Sequence, residues 1–173
     1  MKSLVLLLGV LSLASTQTAG ALIINVDAIT NTTTNRVSIL LEPGAYTVTP
    51  IGVADGGSFN AWDANIFDTS AGVSWLHAYT IASAEISPFG VGFWDGNYYG
   101  SELDALAHAI GTTFTLSSAG IVDFYIADNP HSDNSGGVSL RLIPEVPEPS
   151  TALLLGIGLA LLSVVGSTRS RRR

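Results

Sequence analysis

The sequence predicts a mainly β protein, an antiparallel β-sandwich with one short helix, set between an N-terminal signal peptide and a C-terminal transmembrane helix. Three observations carry that expectation. Apolar residues recur at period two in several stretches between residues 22 and 143, the spacing of strands with one buried face. Turn residues break those stretches about every ten residues, and only 101–111 has helical spacing.

Residues 22–27 form a short apolar run that reads as an opening strand, and Asn31-Thr32-Thr33-Thr34-Asn35 is the turn after it. Residues 36–41 and 46–50 read as a hairpin. Val37, Ile39 and Leu41 share one face, Glu42-Pro43-Gly44-Ala45 turns the chain, and Tyr46 and Val48 return. Asp55-Gly56-Gly57 is a further turn signal, whereas 59–64 is too mixed to assign by periodicity. Residues 73–81 alternate strictly, with Val73, Trp75, His77, Tyr79 and Ile81 on one face, so one continuous strand is expected. His77 shares that face with two aromatics and reads as a core or groove histidine rather than a ligand. A second hairpin is expected at Gly92-Phe93-Trp94 and Tyr98-Tyr99, since the Asp95-Gly96-Asn97 between them supplies the positive φ of tight turns. Its aromatics face either a sugar or the core.

The helix takes Ser101 as N-cap and Asp104, three residues on, as capping-box acid. Leu103, Leu106, Ala107 and Ile110 follow at helical spacing and Gly111 ends it after about nine residues, with His108 on the solvated side. Residues 112–116 lead into two strands, 121–126 and 138–143, that flank a polar loop at 127–137. Val122, Phe124 and Ile126 alternate inward, answered by Val138, Leu140 and Leu142.

Both ends look like targeting segments. Residues 1–21 carry Lys2, an apolar run at 4–13 and Ala19-Gly20-Ala21 as a small-x-small cleavage site, the pattern of a secretory signal peptide. At the other end there is no charged residue from 149 to 168, and at about 1.5 Å rise per residue that stretch covers about 30 Å, the hydrocarbon thickness of a bilayer. Arg169, Arg171, Arg172 and Arg173 follow it. A charge costs about 2.5 to 3.5 kcal/mol at a bilayer centre, so this cluster stops transfer and holds that end in the cytoplasm. The chain then divides into a signal peptide at 1–21, an exported domain at 22–143, a Pro-rich linker at 144–150, a membrane helix at 151–168 and a cytoplasmic arginine cluster at 169–173.

Between the two targeting ends the charge is lopsided. Residues 22–149, the domain with its Pro-rich linker up to the box, hold all fourteen acidic residues but only Arg36 and Arg141 of the basic ones, a net charge of −12 with no lysine. Such a surface repels phosphate backbones, which excludes nucleic acid as a partner, and attracts cations. With no cysteine there are neither disulfides nor thiolate metal sites.

Val146-Pro147-Glu148-Pro149, the apolar segment and the terminal arginines, in that order, resemble the PEP-CTERM sorting signal of exported bacterial proteins. The resemblance implies that exosortase, a membrane-embedded cysteine protease, reads the box and releases or transfers the upstream domain during assembly of extracellular polysaccharide. It further implies a precursor anchored in the inner membrane of a Gram-negative bacterium, then a product at the cell surface or in the extracellular matrix. Prolines at 144, 147 and 149 fix φ and remove donors, which keeps the segment extended, as a peptide entering a protease groove must be.

The loop 128–137 is the one dense cluster of hard oxygen donors in the chain. Ca2+ takes six to eight oxygens from carboxylates, amides and carbonyls, and Asp128, Asp133 and Asn134 with one or two carbonyls supply most of such a set. It is not an EF-hand, because Asp133 falls where that loop needs glycine and Ser139 where it needs glutamate. Turn chemistry alone also accounts for Asn, Asp, Ser, Gly and Pro here. The order strand, Asp, polar loop, Asp-Asn-Ser-Gly-Gly, strand is similar to the C-terminal hairpin of galactose-binding-like β-sandwiches of jelly-roll type, including calcium-dependent bacterial lectins. That resemblance implies Asp128, Asp133 and Asn134 as ion ligands.

No Gly-x-Ser-x-Gly elbow, His-Glu-x-x-His, phosphate-binding Gly-x-x-x-x-Gly-Lys or cysteine nucleophile is present. Glu102 and Asp104 are explained by the capping box. The expected function is therefore a non-enzymatic, exosortase-processed surface or matrix protein whose acidic sandwich associates with polysaccharide, with calcium as its candidate ion. The alternative is a secreted carbohydrate-active hydrolase.

Overall fold

A computed structural model of the chain describes residues 20–65 and 74–145. The signal peptide up to residue 19, Val73, Val146-Pro147-Glu148-Pro149, the expected membrane helix at 151–168 and the arginine cluster lie outside those residues. Among the described residues no helix is long and apolar enough to cross a membrane.

The described chain is mainly β, with 49% of it in strands. In order come β1 (Leu22–Asp27), β2 (Val37–Leu41), β3 (Gly44–Ile51), β4 (Trp62–Asp63), β5 (Trp75–Leu76), β6 (Tyr79–Ser83), β7 (Ser87–Phe93), α1 (Glu102–Ala107), β8 (Thr112–Leu116), β9 (Gly120–Tyr125) and β10 (Ser135–Glu145). They form two antiparallel sheets. One has the order β5-β4-β10-β3-β8, with β1 on the free side of β10, and the other has the order β2-β9-β6-β7. The long β10 is its sheet's spine: Gly137–Leu142 pair with β1 while Ser139–Glu145 pair with β3. Its two leading residues pair with β4 instead, on the side β3 has vacated, as the Gly137 N–H to Ala61 carbonyl bond and the Ala28 N–H to Gly136 carbonyl bond on opposite sides require.

The two sheets face each other across one apolar core. Ile24, Val26, Val48, Leu140 and Leu142 from the first meet Leu41, Tyr79, Ile81, Val122 and Phe124 from the second. The alternation expected for 37/39/41, 122/124/126 and 138/140/142 is the alternation observed. The pairings are not. β2 and β3 do not form a hairpin, because β2 pairs with β9 and β3 with β10 and β8. The turn at Glu42-Pro43 carries the chain from one sheet to the other, and so do Ser117-Ser118-Ala119 between β8 and β9 and the long loop between β9 and β10. Period two records which face a residue presents, and a sheet-crossing turn and a hairpin leave that record unchanged.

Other expectations are corrected as well. The alternating run at 73–81 breaks at His77-Ala78, so β5 lies in one sheet and β6 in the other. The hairpin in this region joins β6 to β7 through residues 84–86, with Tyr79 opposite Phe93 and Ser83 opposite Ser87. Asp95-Gly96-Asn97 does turn, with Gly96 at φ 87°, but Tyr99 bridges to Trp75 rather than returning along β7. α1 is shorter than expected; Ser101 Oγ caps it by accepting from the Asp104 N–H, while Ala105 rather than Leu103 is its buried residue. β10 also overruns its expected end, since Pro144 and Glu145, assigned to the linker, pair with Tyr46 and Ala45.

These registers sort the loops into two poles. β10 runs from its first residue at one pole to Glu145 at the other, and β1 starts beside that far end, with Leu22 opposite Leu142. The tail pole is closed by the short turns at 42–43, 84–86 and 117–119. The longer loops among the described residues, with α1, stand at the opposite pole, about 30 Å away along the eleven residues of β10. One of those loops is tied down by a buried serine. Ser139 Oγ accepts from the Ser58 and Phe59 N–H groups at 3.0 and 2.9 Å and donates to Asn25 Oδ1 at 2.8 Å.

Candidate functional site

The loop between β9 and β10 is anchored at both ends. The Ile126 N–H donates to the Asn31 carbonyl at 2.9 Å, and Asn134 Nδ2 donates to the Ala28 carbonyl at 3.3 Å. Within it His131–Asp133 make one 3-10 turn, closed by the Asn134 N–H on the His131 carbonyl. The turn folds polar atoms inward. Asn134 is only 4% exposed, and its Oδ1, Asp133 Oδ1 and His131 Nδ1 are all buried without a hydrogen-bond partner. Buried polar atoms are ordinarily paired, and here two acceptor oxygens and a ring nitrogen within four residues are not.

Asp133 and Asn134, expected as ligands from the sequence, are thus adjacent and both have an unpaired inward oxygen. Asp128 is half-buried at the start of the loop. No three His, Asp or Glu side chains come together as a metal cluster among the described residues, so Asp128 and Asp133 do not converge with His131 on one point as such a group. The following glycines have a reason of their own. Gly136 has φ 79°, and a Cβ on it would stand 2.6 Å from the Ala61 carbonyl, so Ser-Gly-Gly is what lets β4 approach β10.

A second polar constellation lies at the same pole, where the sequence pointed to a hairpin whose aromatics face either a sugar or the core. The Trp94 indole N–H donates to the Asn97 carbonyl at 3.1 Å, and its ring meets Tyr98 edge-on with centroids 5.6 Å apart. The Asp95 carboxylate accepts from the Asn97 N–H and side-chain amide and from the Tyr99 hydroxyl. Desolvation of Asp95 is outweighed by those bonds, which hold its carboxyl below the ordinary range, and the bond to Asp95, ahead of desolvation, raises the Tyr99 hydroxyl. Tyr99 also stacks on His108 at 4.6 Å, so that histidine is exposed but not free.

His77, at the switch between sheets, is the buried histidine the sequence expected, yet neither ring nitrogen finds a partner. Burial pushes its pKa down to about 4.

An acidic two-sheet domain whose spine strand ends at Glu145 is a folded body joined directly to its C-terminal segment, with no spacer between strand and box. Residues 145–173 match the PEP-CTERM protein-sorting motif, so the chain carries that signal. The motif implies an exported precursor, anchored in the membrane and processed to the cell surface by exosortase. No curated protein and no solved structure matches the chain.

Proposed function

We propose that this chain is an exosortase substrate whose exported domain is a non-enzymatic, polysaccharide-associated module of the cell surface or extracellular matrix, with Ca2+ organising the loop at 128–134. The observation that carries the reading is the pair of buried, unpartnered oxygens on Asp133 and Asn134. Leaving two such acceptors unmade costs about 1 to 3 kcal/mol each, and a hard cation relieves both at once. Asp128 and loop carbonyls are the remaining donors within the segment, and a net charge of −12 favours any cation that binds. The calcium-dependent, galactose-binding-like sandwich of jelly-roll type is the class this loop fits.

A secreted hydrolase calls for two carboxylates about 5 to 10 Å apart across a cleft. Four depressions on the described surface hold at most one carboxylate each, and in one of them Asp123 is already paired with Arg36 at 3.2 Å. None of these four supplies such a pair.

The test is thermal unfolding of the full chain in detergent, in calcium and in chelator. Extracellular calcium modules have Kd of about 10⁻⁴ to 10⁻³ M, so calcium at about 1 mM stabilises by about 0.4 to 1.4 kcal/mol, a rise of a few degrees. Asp128→Ala and Asp133→Ala each abolish the rise, and magnesium gives less of it. Equal melting temperatures in calcium and chelator would discard the ion.

A further inference from the structure

We infer that the turn at 94–99 is a carbohydrate-stacking platform, a second contact for a neutral glycan on the same pole as the 128–134 loop. The inference rests on the polysaccharide reading above but not on calcium.

Its first support is exposure under constraint. Trp94 and Tyr98 remain 43% and 37% exposed although the turn that carries them is held by a network of hydrogen bonds. An aromatic pair exposed by accident has freedom to fold back. This one does not, because the indole N–H is fastened to Asn97 and the next residue, Tyr99, is bridged to Trp75 and stacked on His108. A rigid aromatic face binds with little ordering cost, and a pyranose ring presents an apolar C–H face that stacks on one. The turn also carries the Tyr98 hydroxyl and the Asn97 amide oxygen, which can hydrogen-bond sugar hydroxyls.

Charge selects the class of ligand. Arg36 is committed to Asp123 and the Thr33 carbonyl, and Arg141 to the Asp55 carbonyl, so neither basic residue of the described chain serves the turn. Phosphate, sulfate or uronate polymers find no arginine or lysine here to neutralise them, and the nearby Asp95 repels them. A neutral hexopyranose chain remains.

Position supplies the third support. Ser135, which follows Asn134, pairs with Asp63, Asp63 with Trp75, and Trp75 with Tyr99. Three strand spacings separate the two loops by about 14 Å, a distance an extended oligosaccharide crosses. Both lie at the pole remote from Glu145, so anchoring through the tail leaves them accessible.

The experiment is a titration of tryptophan fluorescence in the full chain, in a detergent without a sugar headgroup, with cellohexaose, maltohexaose, mannohexaose and polygalacturonate. Trp62 is buried and Trp75 half-buried, so a surface ligand reports through Trp94. At least one neutral hexasaccharide should give a saturable change that survives chelator, with polygalacturonate giving none. In isothermal titration calorimetry, which does not depend on the Trp94 signal, Trp94→Ala and Tyr98→Ala should weaken binding about tenfold or more at unchanged melting temperature, and Trp94→Phe should keep most of it, since a ring still stacks. Four results would overturn the inference: no response to any neutral probe, full binding by Trp94→Ala, binding lost in chelator, which assigns the sugar to the 128–134 loop alone, or a concentration-dependent dimer in sedimentation that Trp94→Ala abolishes, which makes the turn a self-association surface. A failed calcium shift leaves the first two measurements unaffected.

Discussion

At neutral pH His77 is uncharged, only 3% exposed and held edge-on against Tyr79 with ring centroids 6.0 Å apart. Burial lowers its pKa from 6.5 to about 4. In the unfolded chain the same imidazole takes its proton near 6.5. Between those two values the unfolded state binds the extra proton, so stability falls as pH falls, and it levels off once both states are protonated. At about 1.4 kcal/mol per tenfold change in proton affinity, the drop amounts to about 3 kcal/mol, or about 10 °C in melting temperature for a domain of this size. The assay is melting temperature from pH 7.5 down to pH 4, for the full chain and for His77→Leu. The leucine variant should flatten the profile and raise the melting temperature at pH 7, because it replaces two unpartnered buried nitrogens with an apolar side chain of similar size. Two carboxylates overlap only the acid end of this window. Hydrogen bonds from Ser118 and Ser117 hold Glu85 down at about 2, and Asp95 is held below its ordinary range, so both contribute stability above the normal carboxylate pKa that is lost only below it. A profile flat from pH 7 to 4.5, or an equal slope in wild type and His77→Leu, would refute the reasoning.

Ser139→Ala removes the oxygen that accepts from Ser58 and Phe59, leaving a buried N–H unmade; chemical denaturation should read a loss of about 1 to 3 kcal/mol with the strands intact by circular dichroism. Gly137→Ala should be far worse, since its Cβ would overlap the Val26 carbonyl oxygen and stand 2.8 Å from Phe59, forcing β1 from β10; we expect a loss above about 4 kcal/mol or no soluble folded protein, and a near-neutral variant would contradict the register. Replacing Pro147-Glu148-Pro149 with alanines should leave an uncleaved, membrane-retained form by immunoblot of cell fractions, and in the wild type mass spectrometry of the exported product should place its C-terminus at or beyond Glu145, because Glu145 is still in β10, with Thr47 Oγ1 donating to its carboxylate at 2.8 Å.

Read by itself, the sequence determined where the longer strands of the two ends lie and which side chains they bury. β1 spans the residues expected of it, and Val122, Phe124, Val138, Leu140 and Leu142 point where alternation put them, because burial of one face is written in the residue at every second position. It also determined the address, since an uncharged run before four arginines and a Pro-Glu-Pro box are local patterns, and the family match at 145–173 agrees. Only the tertiary structure decided which strand meets which. Adjacent strands such as β2 and β3 present identical alternation whether they hydrogen-bond to each other or pass to opposite sheets, and the choice is made by partners far along the chain: Ile39 with Val122, Val48 with Leu142. The same holds for the candidate sites. The types at 128–134 and 94–99 were legible, but that Asn134 Oδ1 is buried and unpaired, that Trp94 is pinned by its own turn, and that a single row from Ser135 to Tyr99 joins the two depends on backbone pairing between distant segments, a quantity no local pattern encodes.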